Sequence, residues 1–157
     1  MRLLALLLVF VMATGLSCTS TPDSQIVERL FMHLSRGEYD AAASLMRSRD
    51  GSPLTDEVRA RNIAGWRRAY DNYDIEFSRV VVTRVRPVTA EMLAAADATE
   101  GYVETVRFEG RSNSPCVPVN SDVIPGASIP IALRARSGAW FVTDDSMSGF
   151  VHTCPGA

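Results

Sequence analysis

The stretch ASIPIALRAR-SG-AWFVTDD, residues 127–145, decides the fold class. Ile129, Ile131 and Leu133 fall on every second position, the period of a strand with one buried face. Arg134 and Arg136 take the opposite face. Ser137-Gly138 reads as a two-residue turn, because Gly accepts the positive φ that tight hairpin loops require. After the turn, Trp140 and Val142 share one face, and Phe141 and Thr143 share the other. Pro130 donates no backbone hydrogen bond, which puts it at an edge, at a bulge or at the start of its strand. A lone hairpin is marginal in water, so more strands or a helix must cover its apolar side.

Those partners lie upstream. Ile75, Phe77, Val81 and Val85, with the β-branched run at residues 80–83, predict a long strand closed by Pro87. Tyr102 to Glu109 alternates again and predicts a second strand. The Ala-rich segment from Thr89 to Thr99 reads as a short helix or an ordered loop. Residues 112–126 form a long Pro-containing connection. Before the strands the period is helical. Thr21-Pro22-Asp23 is a helix start, with Thr21 as cap, Pro22 in the first helical position and Asp23 at the positive end of the dipole. Ile26, Val27, Leu30, Phe31 and Leu34 then make one stripe, and Gly37 ends it. A second helix is expected from Glu38 to Met46 and a third from Thr55 to Tyr70. Three helices followed by about four strands predict an α+β fold, with the helices packed on one face of an antiparallel sheet.

Length allows one domain in 157 residues, and a net charge of −2 offers no basic surface for nucleic acid. All 16 basic residues are Arg, which a GC-rich genome accounts for without a functional role. Residues 1–17 read as a signal peptide: Arg2, then an apolar run from Leu3 to Leu16 that is short for a membrane span. Gly15-Leu16-Ser17-Cys18 resembles the bacterial lipobox, in which the Cys is lipidated and becomes the first residue. Cleavage by an ordinary signal peptidase after Gly15 or Ser17 is the alternative. Cysteine parity favours lipid. The chain has 3 Cys, and an odd thiol is a liability in an oxidising compartment. With Cys18 lipidated, Cys116 and Cys154 are left to pair. In a meander they follow strands that lie near one edge, and the closed loop would stabilise the fold by roughly 4 kcal/mol. Two free thiols, or a metal site with His152 as the one further ligand at hand, are the alternatives. The expected organisation is signal peptide 1–17, tether 18–21, domain 22–145, and a tail 146–157 held by the disulfide.

The opening TPD…IVERLF, the RGEYDAA turn at residues 36–42 and the closing GAWFVTD at residues 138–144 resemble the nuclear-transport-factor-2-like superfamily, in particular its small bacterial lipoproteins. The resemblance spans most of residues 21–145. It implies a cone of helices over a curved antiparallel sheet, often around a pocket. The Pro-rich connection and the Cys-containing tail depart from the usual pattern at places that would cap or reshape such a pocket.

Motifs for phosphate loops, dinucleotides, zinc proteases and serine hydrolases are absent from the sequence, and 2 His cannot form a multi-His metal site. No cofactor is expected. On helix three, Arg59, Asn62, Trp66 and Tyr70 fall in one sector. If that sector faces a pocket, Trp66 and Tyr70 supply apolar walls and Arg59 holds an anion. If it faces the core, Trp66 and Tyr70 are packing residues and Arg59 snorkels outward. His33 borders the helix-one stripe, as a base in a pocket or as a boundary residue. Glu104 shares a strand face with Tyr102, Val106 and Phe108, and exposure at a strand edge is its default reading. Superfamily isomerases and cyclases use Asp, Tyr–Asp or His–Asp pairs, and no such pair maps onto this chain. The expected function is that of an exported, lipid-anchored bacterial envelope protein. Its domain would bind a small apolar or anionic ligand, or an envelope protein, without catalysis. A pocket enzyme and a purely structural accessory are the rivals. The intact mass of the mature protein tests the export reading. A lipidated Cys18 and a gain of about 2 Da on reduction, from one disulfide, are expected; an unlipidated terminus overturns the anchor.

Overall fold

A computed structural model describes residues 21–114, 117, 119–120 and 129–147. Cys18, Cys116, His152 and Cys154 lie outside the described residues, as do residues 1–17, expected as a signal peptide, and most of the expected tether and tail. The elements are α1 (Pro22–Ser35), α2 (Tyr39–Ser44), β1 (Met46–Arg47), α3 (Asp56–Tyr70), β2 (Ile75–Pro87), α4 (Ala90–Ala95), β3 (Ala98–Ser112), β4 (Ile131–Ala135) and β5 (Trp140–Thr143). A helical turn over residues 144–147 follows.

The fold is α+β, and two expectations about it are corrected. There are four helices among the described residues rather than three, and the sheet is five-stranded and mixed rather than about four-stranded and antiparallel. The strand order is β1-β5-β4-β3-β2, so β2 to β5 form an antiparallel meander and β1 adds in parallel beside β5. Met46, expected at the end of the second helix, is a strand residue aligned with Val142. Two residues carry no period of their own. The pairing is held from outside, by the Val142 N–H donating to the Leu45 carbonyl at 3.0 Å.

Local chemistry explains the helix ends. Thr55 caps α3 by accepting from the Val58 N–H at 3.3 Å, and Thr89 caps α4 in the same way. Thr21 has cap geometry but makes no side-chain cap bond; its hydroxyl lies 3.1 Å from the Ser24 hydroxyl. At the end of α1, the N–H groups of Gly37 and Glu38 donate to the carbonyls of Leu34 and His33, the paired closure expected with a glycine just past a helix.

The hairpin differs from its reading in two details. β4 begins at Ile131, and Ile129 is 52% exposed. The turn has three residues, not two: the Ala135 N–H donates to the Ala139 carbonyl, the Gly138 N–H to the Ala135 carbonyl, and Gly138 sits at φ +89°. In β2, bulges at Ser78 and Val85 shift the period, so Phe77, Val80 and Val82 face the helices while Val85 is 56% exposed. The first bulge is possible because Gly110, its neighbour on β3, has no Cβ. One would sit 2.1 Å from the Glu76 carbonyl oxygen.

One sheet face carries α1, the main core and the buried side of α3. Phe108 lies at its centre, stacked on Phe77 at 4.3 Å and edge-on to Phe31 at 4.9 Å. The other face has a smaller cluster of Val88, Ala96, Val103, Leu133 and Phe141, with Met92 and Leu93 of α4 against it. Met147 is also buried in the main core. Phe108→Ala is expected to cost about 3–5 kcal/mol of unfolding free energy, as a fully enclosed aromatic leaves a cavity. Urea unfolding of the two chains checks this.

Candidate functional site

Two polar features stand out. The first is buried. On α1, Asp23 lies about one, two and three turns before Val27, Leu30 and Leu34 on the same stripe, so it points into the sheet and not to solvent; it has no exposed surface. On the facing sheet, Arg84 of β2 pairs across the ladder with Glu104 of β3. Arg84 grips Asp23 with both ends of its fork, Nε to Oδ2 and Nη2 to Oδ1, each at 2.5 Å. Burial alone would raise the Asp23 pKa. The hydrogen bonds from Arg84 and Thr21 and that with Glu104 outweigh it, and hold the carboxyl well below the usual carboxylate range.

Glu104 is also fully enclosed. Its Oε1 accepts from the Ser24 hydroxyl at 3.3 Å, and Oε2 has no partner when the group is counted as a carboxylate. Burial, then the hydrogen bond and charge of Asp23, push its pKa up to about 8. A neutral Glu104 resolves the orphan oxygen, because a protonated acid can donate to Asp23 while the ionised one cannot. The default reading of Glu104 as an exposed edge residue is therefore replaced by a buried acid. The cluster reaches the surface through Arg84, whose guanidinium lies 3.7 Å over the Tyr102 ring. The Tyr102 hydroxyl donates to Glu100 at 2.9 Å, and Arg134 lies 3.6 Å from Glu100.

The second feature is a surface groove of about 290 Å³ between α2, β1 and the start of α3. Met46, Pro53 and Leu54 give apolar walls, and Arg47 and Arg59 bring two cations. Arg47 lies over the Phe141 ring at 5.3 Å and donates to the Gly51 carbonyl at 3.2 Å. Arg59 donates to Asp40 at 3.0 Å.

The structure separates the three residues that the sequence grouped. Trp66 and Tyr70 are enclosed in the main core, while Arg59 is on the groove with half its side chain in solvent. Asn62 donates to Asp144 at 2.5 Å. His33 faces Glu38 at 2.5 Å near the end of α1, away from the buried cluster at its start. Asp23 and Arg84 escaped the sequence reading. Asp23 had a signal, a carboxylate on an apolar stripe, but helix-dipole placement explained it equally well. Arg84 had none, because its inward orientation depends on the bulges. Among the described residues, no group of three or more His, Cys, Asp or Glu is placed to hold a metal, and no helix is long and apolar enough to cross a membrane. No protein-family model, curated protein or solved structure matches the chain.

The buried pair makes a coupling prediction. Arg84→Met leaves Asp23 charged and enclosed without its cation, and is expected to destabilise strongly. Asp23→Asn in the same chain should recover part of that loss, giving a double-mutant coupling of about 1–3 kcal/mol by denaturant unfolding. Additive losses would show that the two side chains do not depend on one another.

Proposed function

We propose that this protein is an exported envelope protein, anchored by lipid at Cys18, with a nuclear-transport-factor-2-like domain. The domain binds a small amphiphilic anion, a carboxylate or phosphate on a short apolar chain, in the Arg47–Arg59 groove without chemistry. One observation carries this reading: two guanidinium groups share a groove whose other walls are apolar. Arg forks suit carboxylate and phosphate oxygens. Asp40, the present partner of Arg59, has 76% of its side chain exposed. Exchanging so exposed an ion pair for an incoming anion costs little. Among the described residues no carboxylate pairs with Arg47, so its charge is available. The α+β meander and the order of its elements support the superfamily assignment. The leader at residues 1–17 and cysteine parity support the anchor.

A second reading, a pocket enzyme of the isomerase or cyclase type, draws support from Glu104, an enclosed acid beside an ionised Asp23. Against it, neither carboxyl has exposed surface, so a substrate would reach them only after α1 moved.

Calorimetric titration with decanoate, below its micellar concentration, tests the binding reading. Saturable one-site binding with a Kd on the order of 10⁻⁴ M is expected, with Arg59→Gln and Arg47→Gln each weakening it roughly tenfold. Octanol, the uncharged control, should bind far more weakly. No saturable binding, or variants that bind as well as the parent, would reject the groove.

A further inference from the structure

The start of α1 meets the sheet at two carboxyl groups enclosed in one dry site. Asp23 and Glu104 are each fully enclosed, and one guanidinium serves the pair. The bidentate edge of the Arg84 guanidinium, Nε and Nη2, is spent on Asp23. Among the described residues, the groups that face Glu104 are few. From α1 come Asp23 and the Ser24 hydroxyl. From β2 comes Arg84, its partner across the ladder. On β3 itself Tyr102 and Glu100 lie beyond Arg84 and engage one another, with Arg134 of β4 on Glu100. From the chain entering β4, the Pro130 carbonyl accepts from the Glu104 backbone N–H at 2.9 Å. Among the described residues no second cation reaches Glu104, and its Oε2 lacks any donor.

We propose that Asp23 and Glu104 form a proton-sharing latch: with one proton between them they hold the first turn of α1 on β2 and β3, and loss of that proton releases it. The ionised pair places two negative charges in a dry site against one Arg. The least costly relief is to lift the first turn of α1, the point where residues 18–21 join the domain. This makes the latch a pH-sensitive device at the base of the domain. It stands whether or not Cys18 carries lipid, and whether or not the groove binds an anion.

The sign follows from linkage. Glu104 is raised from 4.5 to about 8 in the folded protein. Its stabilising proton is therefore fully in place below 4.5 and is lost as pH rises through about 8. Asp23 is lowered from 3.8. Its contribution is present above 3.8 and is lost as pH falls below that value. The latch is tightest near pH 4–5 and weakens toward the alkaline side.

The test is urea unfolding of the full chain at pH 5 to 9, beside Glu104→Gln, which keeps the shape and a donor but cannot ionise. The parent's unfolding constant is expected to rise up to tenfold per pH unit between about 5 and 8, then level off. In Glu104→Gln that rise is lost, and the variant is the more stable chain at pH 8. Any histidine contribution is common to both chains and cancels in the difference. An identical pH slope in the two chains overturns the latch. If the variant does not fold, the Glu104 carboxyl carbon of the parent is followed by NMR. Titration near pH 8, with faster exchange of α1 amides than of α3 amides above it after correction for intrinsic rates, supports the latch. Titration at the ordinary glutamate value, or no selective loosening of α1, overturns it.

Discussion

A carboxylate with no exposed surface must find a cation or give up its charge, and in this molecule Asp23 finds Arg84. That requirement fixes the way α1 crosses the sheet. The helix contributes an apolar stripe that would pack on many surfaces, since burial of Leu, Val and Phe is non-directional. A two-pronged contact between its first turn and the one Arg facing it on β2 is directional. With Asp23 held there, Val27, Leu30, Phe31 and Leu34 fall in sequence onto Val80, Val106 and Phe108, and the main core closes. Glu104 is a consequence of the same contact. It sits across the ladder from Arg84, so the seat that suits Asp23 leaves the neighbouring carboxyl dry, and burial with the Asp23 charge pushes its pKa up to about 8.

The sheet is bent to serve this contact. Two bulges in β2 bracket the segment from Val80 to Arg84, and the second lies immediately beyond the Arg84–Glu104 pair. A bulge adds a residue to one strand and reverses which side chains face the core. Without the first, Val81 and Thr83 would take the inner face and Arg84 would point to solvent. The same device leaves Val85 outside, which explains an exposed large apolar residue near the end of β2.

The two polar features divide the work of the domain in a coherent way. The buried cluster is stiff, enclosed and tied to the entry point of the chain. The groove is open, and its two guanidiniums have exposed or neutral partners. The binding proposed at the groove and the proton sharing proposed in the interior are located on different elements. Access is the obstacle to a catalytic role for Asp23 and Glu104, since neither has exposed surface.

Much of the architecture was legible from residues alone, because it rests on local chemistry. The stripe of α1 and the alternation from Ile131 to Val142 are set by residues within a few positions of one another, and they placed those elements and the α+β class. The proposed export and anchor rest on the sequence alone, on residues 1–18 and on the parity of Cys18, Cys116 and Cys154. Tertiary structure decided what depends on partners far along the chain. It made a strand of Met46–Arg47 by pairing them with β5, it turned Arg84 inward through bulges, and it parted Arg59 from Trp66 and Tyr70 although one helix face carries all three. It also enclosed Glu104. A carboxylate on an apolar face is an ambiguous sign in a sequence, since an edge position and a buried one look the same; only the packing of α1 over β3 determined which it was.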